Sequence, residues 1–222
     1  MPKPTRTPVR REDSLTRERI IEAATALLDA SGEAGLTFRA LSERLATGAG
    51  AIYWHVKDKQ DLLSAASDAV VAAALENGAS GKTPESRIRA MALGLFDTMD
   101  EHPWVGAVLA RAPGDMPTVR IFERIGQQVT ALGVPSKARW GSANALLSYI
   151  LGVGGQNAAN RHYAVAHELD REAFLGGMAE AWEQLDADTF PFARSVAGQL
   201  ATHDDRADFL AGIDLILKGM RG

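Results

Sequence analysis

Apolar residues recur at helical spacing along most of the chain. Ile20, Ile21, Ala24, Leu27 and Leu28 open the pattern, and Gly32 reads as its stop. After the short link Gly35-Leu36, Thr37 reads as the N-cap of a second helix with Leu41 and Leu45 on one face. The small-residue stretch Ala46-Thr47-Gly48-Ala49-Gly50 interrupts it, and a short aromatic segment, Ile52-Tyr53-Trp54-His55, follows. Asp58 can cap a longer helix from Lys59 to about Ala79. Thr83-Pro84 supplies the next N-cap and N1 pair. Further helices are expected at about 84–101, 103–111, 117–132, 136–165, 171–185, 190–202 and 205–220, with Pro103, Pro113, Pro117, Pro135 and Pro191 near the breaks. No β-alternation and no internal repeat is evident. The expected fold is all-α.

The length of 222 residues fits one large domain or two smaller ones. Three segments are expected: a basic tail at 1–13, a helix-turn-helix domain at 14–60, and a larger helical domain at 61–222. The tail carries Lys3, Arg6, Arg10 and Arg11 against Glu12 and Asp13, and contains no apolar stretch that would read as a secretory signal. Trp140 to Asn160 runs without a charge and is long enough to span a bilayer. It also contains Ser142, Asn144, Ser148, Gln156, Asn157 and Asn160, a heavy desolvation burden in lipid. It reads as a buried helix with no membrane partner. The absence of cysteine excludes disulfides, thiolate zinc sites and cysteine nucleophiles, and fits the expected cytoplasmic location.

The first three helices form a compact cluster in which two short helices follow a longer amphipathic one. That is the layout of a helix-turn-helix unit, whose second short helix enters the DNA major groove. Ala49, Gly50 and Ala51 are small enough to allow close approach to base edges. Tyr53, Lys57 and Lys59 suit phosphate contact. Ile52 and Val56, four apart, supply an inward face. Tyr53 and Trp54 remain readable as core aromatics and the lysines as a solvated face.

Residues 16–63 resemble the DNA-binding domain of the tetracycline-repressor (TetR) family. The resemblance is carried by Gly35-Leu36-Thr37, the Leu41/Leu45 pair and the run Tyr53-Trp54-His55-Val56-Lys57-Asp58-Lys59. The final segment, Asp208 to Gly219, is also similar to the last helix of the family's founding repressor. The resemblance implies a homodimeric repressor that binds double-stranded operator DNA and is released by a small organic effector. It places the turn at Ala46 to Gly48 and the recognition helix at about Ala49 to His55. Thr37, Arg39, Thr47, Gly48, Ala49, Gly50, Ala51, Tyr53, Trp54, His55, Lys57 and Lys59 are the implied DNA-facing set. In it, Tyr53 and Lys59 occupy phosphate-contacting positions, and Arg39 a base-contacting one. Phe38 departs from the family's small polar residue, and Ala49-Gly50-Ala51 lacks long polar base readers. Specificity is thereby left to Arg39, Thr47, backbone approach, duplex shape or the tail.

Drug-binding members hold a metal-chelated ligand with histidines. The approximately matching positions here are Leu75 and Leu109. His162 and His167, five apart, give poor helical spacing for one metal. No metal and no cofactor is therefore expected. An apolar pocket with a few polar groups suits an organic effector. Its candidate lining is Met91, Leu95, Met99, Trp104, Leu109, Phe122, Trp140, Asn144, Leu147 and Tyr149, though each also reads as ordinary core.

Ser148, Gly152, Gly155 and Ala159 make a small-residue strip on the uncharged helix. Glycine inside a helix costs about 1 kcal/mol relative to alanine, so close helix approach or a kink is implied. The last helix offers Phe209, Gly212, Ile213, Ile216, Leu217 and Met220 as an apolar face. In the family, these two helices from each subunit build the dimer interface. An enzyme reading finds only His167-Glu168 and His203-Asp204-Asp205, which resemble solvated helix ends, so the chain is read as no enzyme. A DNA-binding architectural protein without an effector stays open.

The net charge of -4 conceals an asymmetry. Residues 1–59 hold 10 Lys+Arg against 8 Asp+Glu, whereas residues 60–222 hold 14 against 20. The DNA-facing end is mildly basic, and the acidity belongs to the rest.

Overall fold

The computed structural model describes residues 15–77, 81–111 and 113–220. The expected basic tail at 1–13 and the expected helix end near Ala79 lie outside these residues. Eleven helices and no strand occur among the described residues. They are α1 (Arg17–Gly35), α2 (Phe38–Arg44), α3 (Ala49–Tyr53), α4 (Lys59–Asn77), α5 (Pro84–Glu101), α6 (Pro103–Arg111), α7 (Met116–Ala131), α8 (Ser136–Ala166), α9 (Arg171–Glu183), α10 (Pro191–Leu200) and α11 (Asp205–Gly219). No described helix is long and apolar enough to cross a membrane. The chain divides into two compact units, one ending at Ala66 and one beginning at Ser67.

In the first unit, the Thr16 hydroxyl accepts from the Arg19 N–H and caps α1. Gly32 does more than stop the helix. It adopts a left-handed conformation (φ +61°) that glycine tolerates, and one further turn runs to Gly35. Thr37 caps α2 by accepting from the Ala40 N–H at 3.1 Å. The turn that follows places Ala46 in the left-handed region (φ +50°). Asp58 caps α4 through a 2.9 Å bond from the Asp61 N–H. Ile20, Ala24, Leu28, Leu36, Leu41, Ile52, Val56, Leu62 and Leu63 are buried together. At roughly 1.5–3 kcal/mol for each large side chain removed from water, this core holds the two short helices α2 and α3, which could not persist alone.

The second unit is organised on α8, which packs against α5, α6, α7 and α11. Thr83 and Ser86 form a reciprocal capping box at the start of α5, with Pro84 in its first turn. Ile88, Met91, Ala92, Leu95, Phe96 and Met99 then bury one face of that helix. His102 ends α5 as its C-cap. Two glycines of α8, Gly154 and Gly155, serve approach within the chain. A Cβ on Gly154 would collide with the Met99 Cε, and a Cβ on Gly106 of α6 would lie 3.1 Å from the Gly155 Cα. Gly212 of α11 gives way in the same manner to the Tyr149 ring. Arg206–Asp97 and Arg89–Asp214 tie α11 to α5 at both ends. Such half-exposed pairs contribute about 0–1 kcal/mol each, so the apolar core decides where α11 lies. α9 and α10 pack chiefly on each other.

Candidate nucleic-acid interface and ligand grooves

The inward face of α3 and the residues after it is Ile52 and Val56, both buried. Tyr53 and Trp54 therefore stay outside, 53% and 89% exposed, which settles their open reading against a core role. Tyr53 stacks on Phe38 at 4.4 Å with 18° between the rings, so the departure at Phe38 creates an aromatic platform joining α2 to α3. Gly48, Ala49 and Gly50 are exposed, with Thr47 and Ala51 half-buried. A Cβ at Gly48 or Gly50 would meet nothing within 4 Å, so the fold itself uses neither vacancy. Arg39 is exposed and donates to Glu43 Oε1 at 2.9 Å along its own helix. Thr37 is exposed but commits its hydroxyl to the α2 cap.

Lys59 departs from the expected phosphate role. Its ammonium donates to the Glu33 carbonyl at 2.6 Å, satisfying an acceptor near the end of α1. Lys57 is exposed, whereas His55 is half-buried.

Two residues that sequence patterns passed over fix the end of this segment. Arg17 donates through Nη1 to the His55 carbonyl at 2.6 Å and through Nη2 to Asp61 Oδ1 at 3.0 Å. Asp61 Oδ2 accepts from the Lys57 N–H at 2.9 Å. The Arg17 hydrogen bond, and after it the Lys57 amide, hold the Asp61 carboxyl below its usual value. No local spacing announces this bridge, because its partners lie 38 and 44 residues apart. A depressed carboxylate pKa adds stability above the unfolded-state value, and that stability is lost as pH falls through the folded one. Asp61→Asn is therefore expected to flatten the acid loss of stability below the ordinary aspartate range, ~4. At neutral pH it should cost about 1 kcal/mol, as befits a partly exposed pair. Urea unfolding at a series of pH values checks this, and an unchanged acid limb would exclude the bridge.

The ten expected pocket residues are spread over the core of the second unit, two grooves and the outer side of α8. Met91, Leu95, Met99, Trp104 and Leu109 are buried core of the second unit. On α8 the inward face is Ala143, Leu146, Ile150, Gly154 and Ala158. The set Trp140, Asn144 and Leu147 is rotated away from it, leaving Trp140 71% exposed and Asn144 exposed. The small and aliphatic side chains won the interior because only they fit close helix approach. Phe122 meets Trp140 edge-on at 5.2 Å, and both line an open groove of about 480 Å³ between α7 and α8.

Tyr149 lines a second groove, of about 440 Å³, on α5, α8 and α11. Its aromatic wall is Phe96, Tyr149 and Phe209, with Phe96–Phe209 centroids 4.7 Å apart and Tyr149–Phe209 stacked at 5.6 Å. Gln156, Asn157 and Asn160 supply carboxamides, Asp205 and Asp208 carboxylates, and His203 an imidazole. The His203 ring faces the Leu200 carbonyl at 2.8 Å and Asp205 Oδ1 at 2.9 Å. The carbonyl first, then the carboxylate, raise its pKa. Burial, and secondarily Asp208, raise that of Tyr149.

The expected dimer residues also divide. Phe209, Ile213 and Leu217 are buried within the chain's own core, while Gly212, Ile216 and Met220 are partly covered. The apolar face of α11 is thus largely occupied by α5 and α8, because a helix with one apolar face satisfies the nearest core first. Leu215, which the pattern passed over, is 69% exposed. On α8, Ser148, Gly152 and Ala159 are exposed, and Gly155 turns towards α6.

A family model described as bacterial regulatory proteins, tetR family, matches residues 20–66, and one described as tetracyclin repressor-like, C-terminal domain, matches residues 77–222. A solved TetR transcriptional regulator of Streptomyces coelicolor is 52% identical, with a TM-score of 0.85 over 93% of this chain and 98% of its own. An HTH-type transcriptional regulator of Saccharopolyspora erythraea is 28% identical over 93% of this chain and 84% of its own length. The class C tetracycline repressor of Escherichia coli is 44% identical over 59 residues, 27% of each chain. ActR of Streptomyces coelicolor, solved in complex with actinorhodin, shares the fold at 21% identity and a TM-score of 0.75, covering 93% of this chain and 95% of its own.

Proposed function

The chain belongs to the TetR family of bacterial regulatory proteins, a DNA-binding transcriptional regulator, and on that premise we propose a homodimeric repressor released from its operator by a small organic ligand. The observation that carries the DNA-binding part is the exposed segment from Thr37 to Lys57. It is held on a closed apolar core, yet it presents Arg39, Tyr53, Trp54 and Lys57 outward. The effector proposed is an aromatic molecule with hydrogen-bonding substituents. It suits the wall of Phe96, Tyr149 and Phe209 beside three carboxamides, and ActR's crystallisation with actinorhodin supports this class. The dimer proposed uses the exposed α8 face around Ser148, Gly152 and Ala159 together with Leu215 of α11. Gly152 lies inside a helix, and a Cβ there would meet nothing within 4 Å. Gly152 also lines the aromatic groove, and its roughly 1 kcal/mol cost in helix propensity leaves room for a neighbour on this face.

A mobility-shift titration on the DNA upstream of its own coding region tests the reading. Specific retardation is expected, and reversal by a hydroxylated planar aromatic added to the complex. Retardation indifferent to all such compounds would leave an architectural protein instead. Gly152→Leu is expected to fold and to run as a monomer in light scattering, with operator affinity reduced at least tenfold because two half-sites are no longer joined. A dimer of unchanged mass would remove α8 from the interface.

A further inference from the structure

The turn after α2 and the exposed side of α3 are poor in side chains that can read bases by hydrogen bonds. Between Ala46 and Ala51, Thr47 carries the only polar side chain. Lys59 is turned back to Glu33, and the exposed Arg39 and Arg44 belong to α2, outside the turn and α3. What the turn and α3 themselves offer is largely apolar. Ala49 and Trp54 are exposed, and Phe38 lies under the Tyr53 ring as a stacked pair. The vacancies at Gly48 and Gly50 allow a partner to come close without obstruction.

Bidentate pairs to guanine or adenine need long polar side chains. The major-groove feature an apolar side chain can distinguish is the C5 methyl group of thymine. Building on the DNA-binding reading above, we infer that sequence preference here is carried mainly by thymine methyls. Ala49, Trp54 and the Phe38–Tyr53 pair receive them. Burying one methyl is worth about a fourfold change in affinity. Several methyls in each half-site therefore build a preference without a single bidentate base contact.

The test uses the full chain and a random-sequence duplex library. The tightest duplex selected is synthesised again with deoxyuridine at each thymidine in turn, and then at all of them, which deletes only the methyls. Binding is expected to fall about fourfold at each contacted position and at least tenfold for the fully substituted duplex. Ala49→Gly, Trp54→Ala and Phe38→Ala, each checked for helix content, are then measured on both duplexes. At least one should bring the thymidine-to-deoxyuridine ratio towards one at a defined position. Equal binding of the two duplexes overturns the inference while leaving DNA binding intact. So does a ratio that none of the three variants alters, since duplex shape would then account for it. Selection of no duplex overturns the DNA-binding reading, and this inference with it.

Discussion

Gly50→Leu is expected to leave the first unit folded, or slightly more stable, and to abolish specific DNA binding. Gly50 lies in α3 at an ordinary helical conformation, because its φ is not among the positive ones. Nothing stands within 4 Å of the position its Cβ would take. A leucine there meets no steric cost and removes glycine's helix penalty, about 0.5–1 kcal/mol. The same side chain projects from the exposed side of the segment, where a duplex has to approach within van der Waals distance. Loss of close approach removes several contacts together, so a fall of a hundredfold or more in operator affinity is expected. The decisive pattern is the opposition of signs. Thermal unfolding should move up or stay, while fluorescence-anisotropy titration with the selected duplex loses its specific phase. Retention of full affinity would move the DNA-facing surface away from α3, whereas a drop in stability would mean that the vacancy belongs to the fold.

Phe209→Ala carries the largest expected loss of stability, about 3–5 kcal/mol. The ring is fully buried, packed between Phe96 and the stacked Tyr149. The Tyr149 hydroxyl donates to the Phe209 carbonyl at 3.2 Å, a backbone bond that the substitution itself does not delete. The loss is therefore transfer energy and cavity, not hydrogen bonding. Relaxation is limited on the α8 side, because Gly212 already lets the Tyr149 ring press against α11. Urea unfolding of the second unit should show the midpoint shifted by an amount in this range at unchanged slope. Leu215→Ala is the matched control. Its side chain is largely exposed, and about 0.5 kcal/mol or less should be lost from the monomer. A Phe209→Ala effect as small as that would place the ring in an interface between chains instead of in this core.

The contrast between Phe209 and Leu215 shows where sequence reading succeeds and where it stops. Periodicity found α11 and its apolar face, Phe209, Gly212, Ile213, Ile216, Leu217 and Met220. It did not say whether that face meets the same chain or a second one, because burial within a chain and burial between chains select the same residue types. The long helix α8 repeats the point. Its small residues were legible as sites of close approach, but Gly155 approaches Gly106 of the same chain, while Gly152 opens outward. The candidate pocket residues are divided in the same way. Trp140 lines an open groove with Phe122 while Met91, Leu95 and Met99 sit in the core, because a rotation of one residue along a helix is 100° and separates neighbouring side chains onto different faces.

What the sequence determined by itself is local. Caps at Thr37, Asp58 and Thr83, and the prolines near the helix breaks, act within a few residues, so their helices and boundaries could be read directly. The aromatic and lysine run from Tyr53 to Lys59 marked the segment proposed to face DNA for the same reason. Only the tertiary structure decided the exposure of Tyr53 and Trp54, the turning back of Lys59 to Glu33, and the Arg17 bridge to His55 and Asp61. Each depends on residues that meet across tens of positions, and spacing along one helix carries no information about a partner on another.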